Sequence, residues 1–227
     1  TNAASLVAQE AATNTNKNLS SSLEKLSTGL RINKASDDAS GLAIADKLRT
    51  QASSIGQSIS NGNSAVSLTQ IADKAMAEQS NILDIIKTKL VQASTDTTSD
   101  DGRKAIGKDV SKLLDQLDNI ASQTNYNGTT LLQGATAADA ADQLTFQMGE
   151  KAADTIQTNT GVRANVSGLT LDGLKASSDA GFASAGSARS LMATVDTAIN
   201  TLNGWRADFG STQNQLESAI RNQMTQQ

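Results

Sequence analysis

Residues 191–209, LMATVDTAINTLNGWRADF, carry the pattern that decides the fold. Apolar side chains recur along this stretch at alternating gaps of four and three residues, and Leu216 and Ile220 prolong the series. Its members are Leu191, Val195, Ala198, Leu202, Trp205 and Phe209. This spacing places one narrow apolar seam on a helix, as in helices that pack lengthwise against one another. The pattern predicts long paired helices rather than a fold built around a catalytic pocket.

The same spacing recurs near the N-terminus, and the composition agrees with it. Leu19, Leu23, Leu26 and Leu30 are separated by four, three and four residues. The chain has one Trp, one Tyr and three Phe among 227 residues, so Ala, Leu and Ile must fill the interior. These residues fill thin helix-to-helix seams better than a round core, which normally uses aromatic bulk. The absence of Pro permits unusually long helices. We therefore expect a mainly α, elongated rod of long antiparallel helices with coiled-coil-like seams and a small β-hairpin element.

Composition also bears on chemistry. The chain contains no His and no Cys, which rules out His-based triads, thiol nucleophiles and Cys/His zinc sites in this sequence. Two adjacent acid pairs occur, Asp37-Asp38 and Asp100-Asp101, but neighbouring side chains point in different directions and do not indicate a shared cleft. The formal net charge of −4 argues against nucleic-acid binding, and no apolar run is long enough to span a bilayer. We predict no enzyme activity and no cofactor.

Periodicity and turn residues divide the chain into elements. Helices are predicted at about 5–28, 42–94, 103–123 and 183–227, with a β element within 129–178. Asp37 or Asp38 is suited to cap the second helix, and Asn127-Gly128 indicates a tight turn. In residues 143–149, Leu144, Phe146 and Met148 alternate as in a half-buried strand.

Each predicted helix has an apolar face. The second helix offers Ile44, Leu48, Ala52, Ile55 and Ile59, then Leu68, Ile71, Ala75, Ile82, Ile86 and Leu90. The third offers Ile106, Val110, Leu113, Leu117 and Ile120. Taken alone, such faces suit an ordinary helical bundle as well as a self-assembling rod.

Longer motifs favour the second alternative. Residues 22–33 (SLEKLSTGLRIN) and 37–45 (DDASGLAIA) resemble the N-terminal signature of bacterial flagellin, the subunit of the flagellar filament. Residues 61–65 (NGNSA) and 125–132 (NYNGTTLL) are similar to later family segments. Residues 206–217 (RADFGSTQNQLE) resemble the C-terminal signature. The resemblance covers about 1–133 and 183–227.

The resemblance implies a domain organisation. Residues 1–36 are expected to form the N-terminal terminal-coil helix and linker, residues 37–133 and 179–227 the helical rod, and residues 134–178 a β-hairpin or short variable insert. The short middle implies little or no outer variable domain. Family members continue beyond the position of Gln227 with a terminal helix that pairs with the N-terminal one. We therefore expect a truncated or trimmed chain that stays monomeric in solution.

The resemblance also implies function, partners and site residues. It implies an extracellular structural subunit of the flagellum, with other flagellin subunits as partners, and the flagellar export apparatus and a chaperone as partners of the full-length form. The subunit-contact, or spoke, signature is Leu30, Arg31, Ile32, Asn33, Asp37, Asp38 and Gly41. The C-terminal rod signature is Arg206, Phe209, Gln213, Asn214 and Leu216.

One segment departs from the pattern that many flagellins show. There the rod helix carries an arginine-rich run recognised by Toll-like receptor 5. Alignment on Val91-Gln92 places Asp84, Ile85, Lys87, Thr88 and Lys89 at the corresponding positions. Ile85 replaces an Arg, and Thr88-Lys89 replace a Glu-Leu pair. Loss of a planar five-donor group and an apolar anchor predicts weak or no recognition by this receptor.

A basic stripe leaves an alternative function open. Lys104, Lys108 and Lys112 recur every four residues on the third predicted helix. Most such stripes are solvated faces, here balanced by acids such as Asp109 and Asp115. The alternative is a contact strip for an anionic surface polysaccharide. This alternative would make the chain a flagellin-like cell-surface adhesin.

Overall fold

The computed structural model describes residues 2–34, 36–133, 143–158 and 161–226. The fold is mainly α, as predicted. Its helices are α1 (Ala3–Thr28), α2 (Ala39–Ala93), α3 (Asp100–Gln123), α4 (Asp172–Asp179) and α5 (Ala185–Gln226). Its strands form two antiparallel pairs, β1 (Asn125–Tyr126) with β2 (Thr129–Thr130), and β3 (Thr145–Gln147) with β4 (Thr155–Gln157).

The chain divides into two units, with the boundary after Ser54 and inside α2. We call the residues up to Ser54 the N-terminal unit and those from Ile55 onward the C-terminal unit. In the N-terminal unit, the Asn2 side chain caps the start of α1 by accepting from the Ala4 N–H at 3.2 Å. Gly29, in the left-handed conformation, ends this helix. No residue of α1 is buried.

The core of the C-terminal unit begins with a regular seam on α2. Its buried residues alternate at gaps of four and three over five heptads, which keeps one stripe facing the neighbouring helices. The members are Ser58, Gly62, Ala65, Thr69, Ala72, Met76, Gln79, Leu83, Ile86, Leu90 and Ala93. Small residues occupy the early part of this seam and large aliphatic residues the later part.

Polar contacts show that α5 runs antiparallel to α2. The Arg189 guanidinium donates to the Ser94 carbonyl at 3.0 Å, near the end of α2 and the start of α5. Further along α5, Arg206 donates to Asp73 at 2.9 Å. Between these points, the α5 seam predicted from sequence is buried from Val195 onward.

α3 is also antiparallel to α2. The Arg103 guanidinium donates to the Ala93 carbonyl at 3.2 Å, and Gln79 donates to the Leu117 carbonyl at 3.1 Å. Gln79 is fully buried and also donates to the Ala164 carbonyl at 2.6 Å. One side chain thus joins α2, the last turns of α3 and the segment that precedes α4.

Several positions of the predicted apolar faces are exposed or half-buried. Ile71 is 41% exposed, because the α2 seam passes through Thr69 and Ala72 and leaves Ile71 about a quarter turn from Ala72. On α3, Leu113 and Ile120 are half-buried while their neighbours Leu114 and Ala121 are fully buried. The face of α3 is therefore wider than a single seam, because α4 covers it as well as α2.

The two strand pairs lie in the C-terminal unit. Asn127 and Gly128 have φ of 51° and 83°, as the tight turn between β1 and β2 requires. The predicted strand is confirmed as β3, whose Phe146 pairs with Ile156 of β4. Met148 and Ile156 pack with Ala65, Leu216 and Ile220. Of the expected insert 134–178, residues 134–142 and 159–160 lie outside the described residues.

The sequence pattern predicted a β element but no helix between 129 and 178, and the second part of this prediction was wrong. α4 forms there, with Leu174 and Ser178 on its buried side. Apolar spacing extends over only one turn of this segment. The Gly and Ser residues around it do not favour a helix, so the sequence did not predict one. Close contact with α3 stabilises α4: a Cβ added at Gly107 would lie 2.6 Å from the Ser178 carbonyl oxygen.

Candidate interaction surfaces

The N-terminal unit carries large apolar side chains that no described residue of that unit covers. Their exposed fractions range from 55% for Leu19 to 80% for Leu26. We call this set the N-terminal apolar surface; it consists of Leu6, Val7, Leu19, Leu23, Leu26, Leu30, Ile44 and Leu48. Apolar exposure that goes beyond scattered single side chains marks an interaction surface in soluble proteins. The spacing of Leu19, Leu23 and Leu26 on α1 is that of a helix with a lengthwise partner.

The segment after α1 is held by a local hydrogen-bond network. The Asn33 side-chain amide donates to Thr28 Oγ1 at 2.8 Å and to the Leu30 carbonyl at 3.3 Å. The Leu30 N–H also donates to Thr28 Oγ1 at 3.3 Å. These bonds hold the chain against the end of α1 and leave Leu30 and Arg31 exposed.

Asp37 organises the second half of this turn. Its Oδ2 accepts from the N–H groups of Asn33 at 3.2 Å and Lys34 at 3.1 Å. These two backbone bonds are the main reason that the pKa of Asp37 is lowered from its ordinary value. Lys34 pairs with Glu24 of α1 at 2.7 Å, and this hydrogen bond raises the pKa of Lys34. The turn is thereby tied back to α1 through charged side chains.

Asp38 and Gly41 form the start of α2. Asp38 Oδ1 accepts from the Gly41 N–H at 2.8 Å, which confirms Asp38 as a capping residue. A Cβ at position 41 would lie 2.4 Å from Asp38 Oδ2 and 3.1 Å from Ile32 Cδ1. Gly41 thus leaves room for both the cap and the half-buried Ile32. The spoke signature combines turn-forming residues with exposed Leu30 and Arg31.

The C-terminal rod signature lies on α5. Phe209 and Leu216 are buried in the C-terminal unit, and Arg206 pairs with Asp73 of α2. Gln213 donates to Glu217 at 3.0 Å, and Asn214 is exposed. A shallow open groove of about 730 Å³ runs beside these residues, lined by Ser67, Gln70, Ile71, Asp73, Lys74 and Gln213. The signature therefore joins core residues to one side of a surface groove.

A charged cluster that sequence analysis missed joins α4 to α3. Lys175 lies 2.9 Å from Asp115, 3.4 Å from Asp179 and 2.6 Å from Ser111 Oγ. Burial alone would lower the pKa of Lys175, but its bonds to the two carboxylates raise it. The Ser111 hydroxyl, followed by Lys175, lowers the pKa of Asp179. Spacing indicates only the pair of Lys175 and Asp179 within α4, and only the folded chain brings this pair to Ser111 and Asp115 of α3.

The described residues offer little for other kinds of site. Within these ranges, no group of three or more acidic side chains is placed to hold a metal ion. None of the described helices combines the length and the apolar character that a membrane span requires.

Comparison with known proteins identifies the family of this chain. Residues 1–137 match a family model described as the bacterial flagellin N-terminal helical region. This chain belongs to the bacterial flagellin family. It is 44% identical to flagellin B of Helicobacter pylori strain J99 over 189 residues, which cover 79% of this chain and 36% of that protein. It is 35% identical to the flagellar filament 30.7 kDa core protein of Treponema maltophilum over 209 residues, which cover 91% and 73%.

A solved flagellin structure is also similar to this fold. The crystal structure of Bacillus cereus flagellin superposes with a TM-score of 0.58 at 27% identity, covering 72% of this chain and 88% of that one. The chain spans about a third of the length of the Helicobacter pylori relative.

In this flagellin, the residues at the expected receptor positions lie along α2 and differ in their surroundings. Asp84, Ile85 and Thr88 are exposed, and Ile85 is 47% exposed. Lys87 pairs with Asp196 of α5, and Lys89 pairs with Asp109 of α3 at 2.8 Å. The two lysines thus join α2 to both neighbouring helices, a role that the sequence did not indicate.

The lysine stripe lies on exposed α3 positions. Lys104 is 3.8 Å from Asp101, and Lys104 packs against Gly181. Lys108 and Lys112 are exposed on the same helix as Asp109 and Asp115. The two signs of charge are interspersed on this helix, so the stripe is not a concentrated basic patch.

Proposed function

We propose that this flagellin-family chain is an extracellular structural subunit of the bacterial flagellar filament, and that it assembles with other flagellin subunits. The observation that carries the proposal is the N-terminal apolar surface. Burying one Leu side chain contributes roughly 1.5–3 kcal/mol, so covering several of them supplies a strong drive for association. A protein that offers these side chains along a helix is suited to a lengthwise partner.

Filament geometry follows from the kind of contact. A surface that binds a different surface on an identical copy makes a head-to-tail contact, and such contacts produce open helical polymers when they do not close into a ring. In the proposed subunit, the exposed Leu30 and Arg31 and the half-buried Ile32 contact neighbours. Asn33, Asp37, Asp38 and Gly41 hold the turn that presents them.

The C-terminal unit supplies the stiff part of the subunit. We assign residues 1–36 to the terminal coil, residues 37–133 and 179–227 to the rod, and residues 134–178 to a short insert. Arg206, Phe209 and Leu216 hold α5 in the rod, and Gln213 and Asn214 lie at its surface. The proposed role is structural, with no catalytic step, no cofactor and no nucleic-acid partner. The flagellar export apparatus and a chaperone are the proposed partners before assembly.

We assign weak or no Toll-like receptor 5 recognition to the segment containing Asp84, Ile85, Lys87, Thr88 and Lys89. Two lost hot spots of about 2 kcal/mol each lower affinity by several hundredfold or more if they add. Ile85→Arg with Thr88→Glu and Lys89→Leu should restore part of the signal in a receptor reporter assay. The starting chain should signal poorly, and a signal as strong as that of an arginine-bearing flagellin would contradict the assignment.

Binding of an anionic polysaccharide by Lys104, Lys108 and Lys112 stays a prediction, because no observation favours it over simple solvation. The adhesin alternative therefore has no support from the surface of α3.

The filament proposal is tested by separating folding from assembly. In the complete natural protein, Leu23→Ser with Leu26→Ser should leave the urea unfolding of the C-terminal unit unchanged, because neither side chain is buried. The same variant should fail to elongate filament seeds in electron micrographs. Asn14→Ala with Ser21→Ala, on the opposite side of α1, is the matched control and should elongate normally. Normal elongation by the leucine variant would refute the proposal.

A further inference from the structure

The sequence contains three Asn-Gly dipeptides, Asn61-Gly62, Asn127-Gly128 and Asn203-Gly204. This dipeptide is chemically labile because Gly has no side chain to hinder its own backbone nitrogen. That nitrogen can attack the side-chain carbonyl carbon of the preceding Asn. The structure places the three copies in different environments, so their reactivity should differ.

Two of the dipeptides are held inside helices. Asn61-Gly62 lies within α2 and Asn203-Gly204 within α5, where each Gly N–H donates to the carbonyl four residues earlier. The Asn61 side chain is held as well, donating to the Gln147 carbonyl at 3.2 Å and accepting from Gln57 at 2.9 Å. Each helix must open locally before either Gly nitrogen can react.

Asn127-Gly128 has neither protection. Both residues are exposed and form the turn between β1 and β2. The Gly128 N–H meets no hydrogen-bond acceptor among the described residues. A Cβ added at Gly128 would meet no atom within 4 Å, so water reaches the site freely.

We propose that Asn127 is a site of spontaneous deamidation in the folded protein. The Gly128 nitrogen forms a bond to Asn127 Cγ, the bond from Cγ to the amide nitrogen breaks, and ammonia leaves with the Gly128 proton. The product is a five-membered succinimide. Water from the solvent then opens the ring at one of its two carbonyls. One opening gives aspartate, and the other gives isoaspartate, in which the backbone passes through the side chain.

Deamidation of Asn127 changes the turn itself and also the chain that leads from the turn into the core. Either product adds one negative charge to the turn. Isoaspartate also adds one carbon to the backbone between Tyr126 and Thr129, which face each other across the hairpin. The hairpin leads directly into Leu131 and Leu132, which are buried. A lengthened turn therefore disturbs the path of the chain into the core of the C-terminal unit.

The test uses the other two dipeptides as internal controls. The folded chain is incubated at mildly alkaline pH, and each Asn-Gly peptide is followed by mass spectrometry for the exchange of an amide NH₂ for OH. A local opening free energy of about 1.4 kcal/mol corresponds to tenfold slowing. Asn127 should therefore convert at least about tenfold faster than Asn61 and Asn203. In concentrated urea, all three should convert at similar rates.

Two outcomes would overturn the proposal. One is conversion of Asn203 at the rate of Asn127 in the folded chain, since Asn203 is also exposed and differs mainly in being helical. The other is an unreactive Asn127 in the folded chain that reacts in urea. Asn127→Gly keeps a residue that tolerates positive φ and should abolish the modification at this turn. The variant thereby confirms that the modified peptide arises from Asn127.

Discussion

α1 and α5 carry the same leucine-type spacing but differ completely in burial. The α1 members Leu19, Leu23 and Leu26 are 55–80% exposed, whereas Val195, Leu202 and Ile220 of α5 are 0–9% exposed. A heptad pattern therefore specifies that a helix has an apolar stripe. It does not specify whether the covering partner lies in the same chain. In the C-terminal unit α2 and the β3–β4 pair contribute to the cover, and in the N-terminal unit no described residue does.

The largest expected effect contrasts two leucines. Leu202→Ala should lower the free energy of unfolding by about 2–5 kcal/mol, because it leaves a cavity in the core. Leu23→Ala should change it by less than about 0.5 kcal/mol, since Leu23 lies at the surface of the protomer. Urea unfolding followed by the fluorescence of the buried Trp205 measures both. Equal losses for the two variants would show that α1 is packed within the protomer.

A smaller change in stability is expected when a Cβ is added at a glycine that packs against backbone rather than at one that does not. Gly107→Ala should destabilise the C-terminal unit by roughly 1–3 kcal/mol, because its Cβ would press on the backbone of Ser178 and Gly181. Gly204→Ala is the control within α5, where a Cβ meets nothing within 4 Å. It should stabilise the chain by about 0.5–1 kcal/mol. Thermal unfolding separates the two, and stabilisation by Gly107→Ala would be inconsistent with close packing of α4 on α3.

The smallest expected effect is on the loss of stability at low pH. The pKa values of Asp37 and Asp179 are both lowered in the folded chain, so each carboxylate contributes stability above its ordinary pKa of 3.8 and loses it as pH falls through the folded value. Asp179→Asn should reduce the loss of stability that Trp205 fluorescence reports as pH falls below about 5. Asp37→Asn should leave that loss unchanged, because Asp37 belongs to the N-terminal unit. A response to Asp37→Asn as large as that to Asp179→Asn would indicate that the two units unfold together.

The long helices could be predicted because their signals are local. Periodicity, the absence of Pro and a capping Asp38 act within a few residues, and they placed α2, α3 and α5 to within three residues at each end. The strand β3 was predicted for the same reason, from alternating Leu144, Phe146 and Met148.

Contacts between elements could not be predicted in the same way. Ile71 fits an apolar helical face as well as Ala72 does, and only packing against the other helices decides between them. Likewise, the ion pairs of Lys87 and Lys89, the cluster around Lys175 and the buried Gln79 depend on elements that meet only after folding. The residues of the spoke signature were identified from the family resemblance. Their proposed contacts with other subunits stay predictions.

Hydrogen exchange measured by mass spectrometry tests the central claim most directly. In the isolated chain, amides of α1 should exchange much faster than those in the middle of α5, because no tertiary packing protects α1. In filaments grown from the complete protein, the amides of α1 should become strongly protected while those in the middle of α5 change little. Slow exchange of α1 in the isolated chain, or unchanged exchange of α1 in the filament, would contradict the account.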